Sequence, residues 1–97
     1  AMRFIADINI DIAFLSPSGL SLRSGFTGGN YAECELKRAV VEKADRVIML
    51  MDKSKIGRSL PYTFCNFEGV TALVCDAPLP DELAAEAERS GVAVEVV

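Results

Sequence analysis

Seven consecutive residues, Asp52-Lys53-Ser54-Lys55-Ile56-Gly57-Arg58, set three cations around one acid. Three positive charges against one negative give this stretch +2, in a chain whose formal net charge is −4. Lys55 and Arg58 could hold an anion such as a phosphate, with Ser54 as a hydroxyl donor. The same residues equally fit a solvated surface loop in which Asp52 caps a turn. Glu33 and Lys37 stand four apart, a carboxylate and an ammonium that could face a polyol hydroxyl. They also fit a capping-box acceptor and a surface pair worth only about 0.2–0.5 kcal/mol. Ser16, Ser18 and Gly19 offer hydroxyls and backbone N–H groups; as an ordinary turn, Pro17 would fix φ and Gly19 would supply a positive φ. Asp11 lies among apolar residues, where an unpaired buried carboxylate would be expensive.

These groups need elements to position them. Residues 8–15 alternate Ile10, Ile12 and Phe14 with Asp11, Ala13 and Leu15, which reads as a strand. Residues 16–30 are rich in Ser and Gly and read as a long loop, a kind that is often functional. Residues 31–45 have helical spacing, with Ala32, Leu36, Ala39, Val40 and Lys43 on one side. Asn30 is the expected N-cap, with Glu33 three residues on. Residues 46–51 form an apolar run, expected as a strand covered on both faces. A polar loop covers 52–62, a short strand or turn 63–68, and a third buried strand 70–75. A helix over 78–90 has Pro80 near its start, Asp81 and Glu82 in its first turn and Gly91 as its stop; a last strand covers 92–97.

The order β-α-β-β-α-β predicts an α/β domain: a parallel sheet of about four strands with flanking helices, Rossmann-like and three-layered. Ligands of such sheets sit beyond the carboxyl ends of the strands, which selects the loops after residues 15, 51 and 75. Only two helices are available to cover two faces, so the chain reads as the back half of a larger α/β domain. Residues 1–6 are assigned to a cloning remnant or loose lead-in.

A length of 97 residues allows one domain. The 51% hydrophobic and 25% charged shares argue against disorder. The longest apolar run, residues 47–51, is far short of the roughly 20 residues that span a bilayer, and no signal peptide opens the chain. The acidic balance argues against nucleic-acid binding by these residues themselves. Cys34, Cys65 and Cys75 form an odd set without CxxC spacing and read as reduced, packed thiols of a cytoplasmic protein. With no His and scattered Cys, no metal is expected. Gly25, Gly28 and Gly29 match neither GxGxxG nor a P-loop, so no cofactor is expected either. The acidic stretch 81–89 reads as a solvated face. A receiver domain is disfavoured because Ser16-Pro17-Ser18, rather than an acidic pair, follows the first strand.

Three segments in order carry a resemblance: Asp11-Ile12-Ala13-Phe14-Leu15, Ala32-Glu33-Cys34-Glu35-Leu36-Lys37-Arg38-Ala39 and Met51-Asp52-Lys53-Ser54-Lys55-Ile56-Gly57-Arg58. They resemble the C-terminal sensor domain of DeoR-type transcriptional repressors, whose members read approximately D-x-A-F, E-A-E-x-K-R-A and D-x-S-K-x-G-R. Ala72-Leu73-Val74-Cys75-Asp76 is similar to that family's strand ending in T-D, with Cys75 in place of Thr, and Gly91-Val92-Ala93-Val94 also fits. The resemblance runs from about Asp7 onward. It implies an effector-sensing domain for a phosphorylated sugar or related metabolite, similar in fold to ribose-5-phosphate isomerase and CoA transferases. Lys55 would contact the phosphate, Glu33 and Lys37 would face the sugar, and Ser16, Ser18, Gly19 and Asp52 would complete the effector site. DNA would be bound only through an N-terminal helix-turn-helix that these 97 residues do not contain, and a homo-oligomer is expected. No enzyme activity is expected: the isomerase motif D-G-A-D-E is replaced by Ser16-Pro17-Ser18-Gly19-Leu20, which removes both Asp. The alternatives are an isomerase-like enzyme fragment and a ligand-free oligomerisation module.

Overall fold

The computed structural model describes Ile5 and residues 7–97; the expectation for residues 1–6 falls almost wholly outside them. The chain runs β1 (Ile10–Leu15), β2 (Gly19–Ser21), β3 (Gly25–Gly28), α1 (Tyr31–Lys43), β4 (Ala44–Met51), a 3-10 turn (Lys53–Lys55), β5 (Tyr62–Cys65), a second 3-10 turn (Phe67–Gly69), β6 (Ala72–Cys75), α2 (Asp81–Arg89) and β7 (Ala93–Val96). Four strands form a parallel sheet in the order β1-β4-β6-β7. The α/β class and the four-strand parallel sheet are those expected.

The local signals act as their chemistry dictates. Asn30 Oδ1 accepts the Glu33 N–H at 2.9 Å and starts α1. Gly91, at φ 75°, lets the chain leave α2 and turn into β7. The α2 start differs from the expected 78 because Pro80 is the cap residue, in extended conformation.

Residues 16–30 are not one long loop. They hold the hairpin β2–β3, which pairs antiparallel and continues through β3 to β5 as a second, three-stranded sheet. Strands of three and four residues built largely of Gly and Ser carry too little alternation to be read. Their stability is tertiary: every residue of β3 is buried, and the Phe26 ring, 0% exposed, meets Phe67 edge-on at 5.3 Å.

The strand after α1 is not covered on both faces. Successive strands always advance in the same direction across the parallel sheet. Right-handed crossovers then place α1 and α2 on one face. That face carries Ala13, Val47, Met49, Leu73 and Cys75, all buried. Val47, Met49 and Leu73 pack in one cluster with Cys34 of α1 and Leu83 and Ala87 of α2; both helices thus cover the same side. The opposite face displays Ile12, Phe14 and Leu50, exposed by 37%, 64% and 39%. Among the described residues the domain therefore has two layers rather than three. The side of α1 bearing Ala32 and Leu36 is exposed, and Cys34 and Val41 make the core contact instead.

Candidate functional site

The carboxyl ends of β1 and β4 lie side by side in the parallel register Leu15↔Met49, so the segments that leave them meet. β2 sits against the basic loop: Gly57 N–H donates to the Leu20 carbonyl at 2.7 Å, and Leu20 bridges Ile56. A Cβ on Gly19 would stand 2.5 Å from the Arg58 carbonyl oxygen, so the absence of a side chain allows the close approach. Positive φ occurs at Gly25, Gly57 and Gly91. The expected positive φ at Gly19 is corrected: Gly19 is a strand residue, and backbone proximity is its constraint.

Asp52 caps the first 3-10 turn, accepting the Ser54 N–H at 2.8 Å and the Ser54 hydroxyl. Those two hydrogen bonds, the hydroxyl's first, hold the exposed Asp52 carboxyl below its ordinary value, with help from the Lys55 charge. Ser54 is therefore committed to Asp52 rather than free as a donor. Asp76, at the end of β6, accepts the Lys53 N–H at 2.7 Å and ties the loop to the next strand. Among the described residues, neither Lys53, Lys55 nor Arg58 joins an ion pair.

Lys37 is the most constrained cation of the site. Its ammonium donates to the Ser16 carbonyl at 2.7 Å, lies 3.5 Å from Glu33 and sits 5.0 Å above the Phe64 ring. It clamps the exit of β1 against α1. Glu33 and Lys37 are thus joined to Ser16, while Gly19 is joined to the basic loop. Ser18 is exposed, but its N–H is already taken by the Thr27 carbonyl at 2.9 Å. Asp11 is exposed on the β1 edge and not part of this cluster.

Sequence reasoning missed Thr27, which is fully buried and whose hydroxyl oxygen accepts the Leu60 N–H at 3.0 Å, fixing the far end of the basic loop to the hairpin. An isolated Thr in a Gly-rich stretch gave no signal. Thr27→Val is expected to lower stability by about 1–3 kcal/mol in urea unfolding, because Leu60 N–H loses its acceptor, and Thr27→Ser to lower it less.

A separate cavity of about 400 Å³ opens between α1 and β5, with Arg38, Cys65, Asn66 and Glu68 in its wall. Its guanidinium already bonds the Thr63 carbonyl and pairs with Glu35. Cys34, Cys65 and Cys75 are free and buried, as expected. Burial first, then the charge of Glu68, pushes the Cys65 thiol up to about 11. Cys65 is expected to resist iodoacetamide at pH 8 in the folded chain and to react on unfolding, as peptide mass mapping would show.

Fold and site together define an α/β domain with a parallel sheet, helices on one face and its polar loops gathered beyond the carboxyl ends of the strands. Residues 1–77 match the family model described as the DeoR C terminal sensor domain. The chain belongs to that family. It is 34% identical over 94 residues to the HTH-type transcriptional regulator GlpR of Haloferax volcanii, covering 97% of this chain and 37% of the relative. It is 39% identical over 74 residues to the HTH-type transcriptional regulator IolR of Bacillus subtilis, covering 76% and 30%. It is 31% identical over 77 residues to the glycerol-3-phosphate regulon repressor of Escherichia coli, covering 79% and 31%. The chain thus spans 30–37% of the length of these relatives. Among the described residues, no helix is long and apolar enough to cross a membrane.

Proposed function

We propose that this chain is the effector-sensing part of a DeoR-type transcriptional regulator and takes a phosphorylated sugar or related polyol phosphate at the carboxyl ends of β1 and β4. The observation that carries this reading is the basic loop: Lys53, Lys55 and Arg58, outside any described ion pair, beside Gly19 and Leu20 in a chain of net charge −4. In this reading Lys55 holds the phosphate, with Asp52 shaping the turn that presents it. Ser16, Ser18 and Glu33 face the hydroxyls, and Lys37 orients Glu33 and the Ser16 backbone.

The domain binds without catalysing. Among the described residues Glu33 is the sole carboxylate at the exit of β1 that could act as a base, it is paired to Lys37, and the segment 16–20 supplies no acid partner. Control of transcription would run through a DNA-binding domain elsewhere in the same cytoplasmic polypeptide, working as a homo-oligomer, by the effector's differential affinity for two arrangements.

The bare sheet face bears on domain organisation. A doubly wound sheet reverses its strand order at one point, and helices cover the second face beyond that point. Strand order here never reverses, and β1 is a described edge. We therefore assign the chain to the second half of a sensor domain whose remaining layer covers Ile12, Phe14 and Leu50, which puts the site after β1 at the switch point.

Thermal unfolding of the natural polypeptide with a panel of sugar phosphates tests the reading. A ligand at about 100 times its Kd adds about 2.7 kcal/mol, a visible rise in Tm. A panel in which no phosphorylated member raises Tm would instead support the ligand-free oligomerisation module. Turnover of ribose-5-phosphate that is lost in Glu33→Ala would support the enzyme.

A further inference from the structure

At the end of the sheet opposite β1, strand β7 pairs only with β6 among the described residues. Ala93 N–H bonds the Thr71 carbonyl and Val97 N–H the Cys75 carbonyl. Because successive residues of a strand turn their backbone groups to opposite sides, Val94 and Val96 present N–H and C=O outward on the free edge. Edge strands are commonly blunted by Lys, Pro or a bulge. β7 reads Ala-Val-Glu-Val, with neither Lys nor Pro.

The side chains of those two valines, 37% and 49% exposed, line a groove of about 340 Å³ with Pro78, Leu79, Val92 and Glu88. The groove is apolar, with Glu88 in its wall. Glu95, between the two valines, projects from the opposite face of β7. The one cation of α2, Arg89, is engaged by Glu86.

We infer that the β7 edge and this groove form a docking site for an extended peptide segment in which apolar side chains alternate with Lys or Arg. Its backbone would pair with Val94 and Val96 and lengthen the sheet by one strand. Its apolar side chains would enter the groove beside Leu79 and Val92, and its cations, turned to the opposite face by strand alternation, would meet Glu95. A second copy of this chain fits less well. A two-fold contact sets a patch against itself, so pairing centred on Glu95 would place two carboxylates directly opposite, which is destabilising.

The test is amide hydrogen exchange by NMR on the natural polypeptide with an acetylated, amidated hexapeptide of alternating lysine and valine. The Val94 and Val96 amides should exchange about tenfold slower or more, while Ala93 and Val97, already bonded to β6, change little. The exposed substitution Glu95→Lys, which leaves the core and both valines intact, should weaken the effect by about threefold or more. Three results would overturn the inference. One is no protection by the peptide; another is equal protection by an alternating glutamate and valine peptide. The third is protection that appears without any peptide and grows with protein concentration, which would assign the edge to a second copy.

Discussion

Lys55→Ala is expected to weaken binding of a phosphorylated effector by about 10- to 100-fold, the loss of one charge-assisted hydrogen bond worth about 1.5–3 kcal/mol. The argument is geometric. The Lys55 turn is held at three places: Asp52 caps it, Asp76 takes the Lys53 N–H, and Gly57 bonds Leu20. A loop tied down in this way presents its ammonium without a large ordering cost on binding. No described carboxylate pairs with Lys55, so the charge remains available for an anion. Lys43→Ala is the matching control, since Lys43 ends α1 at the opposite end of the sheet. Calorimetry on the natural polypeptide should show the loss for Lys55→Ala and not for Lys43→Ala. Equal affinities for wild type and Lys55→Ala would remove Lys55 from the site.

The largest loss of stability is expected for Phe26→Ala, about 3–5 kcal/mol and a Tm lower by on the order of 15 °C. Phe26 is fully buried, belongs to the core cluster and packs edge-on against Phe67. Its strand also joins β2 to β5, so the cavity would open where the small sheet meets the core. Because β2 carries the contacts to the basic loop, effector affinity should fall with stability, whereas Leu22→Ala, half-exposed in the turn between β2 and β3, should cost much less. Urea unfolding of both variants checks this; a Phe26→Ala loss below about 1 kcal/mol would show that the hairpin does not share the core.

Local chemistry made much of this architecture legible. The Asn30 cap, the apolar run after α1, the acidic first turn of α2 and the Gly91 stop each rest on interactions within a few residues, and the structure has all of them. Asp52 was read as a turn cap from its neighbours, and Ser54 makes it one. The rest depends on distant partners. Alternation in β1 separates Ile10, Ile12 and Phe14 from Ala13 and Leu15 but does not say which set meets the helices; the smaller set does. On α1, exposed Leu36 and buried Cys34 show the same ambiguity. The hairpin of Gly and Ser, Thr27 beneath Leu60, and Phe64 under Lys37 have no local signature at all. Spacing could propose Lys37 as a ligand group, but only its three contacts reveal it as the clamp between β1 and α1.

The most direct test of the central claim is thermal unfolding of the natural polypeptide against paired ligands, each sugar phosphate beside its dephosphorylated parent, in wild type and Lys55→Ala. The account predicts that at least one phosphorylated member raises Tm, that its parent does not, and that Lys55→Ala abolishes most of the rise. No rise with any phosphate, or an equal rise with the parent sugar or in Lys55→Ala, would contradict a phosphate-reading sensor at the carboxyl end of this sheet.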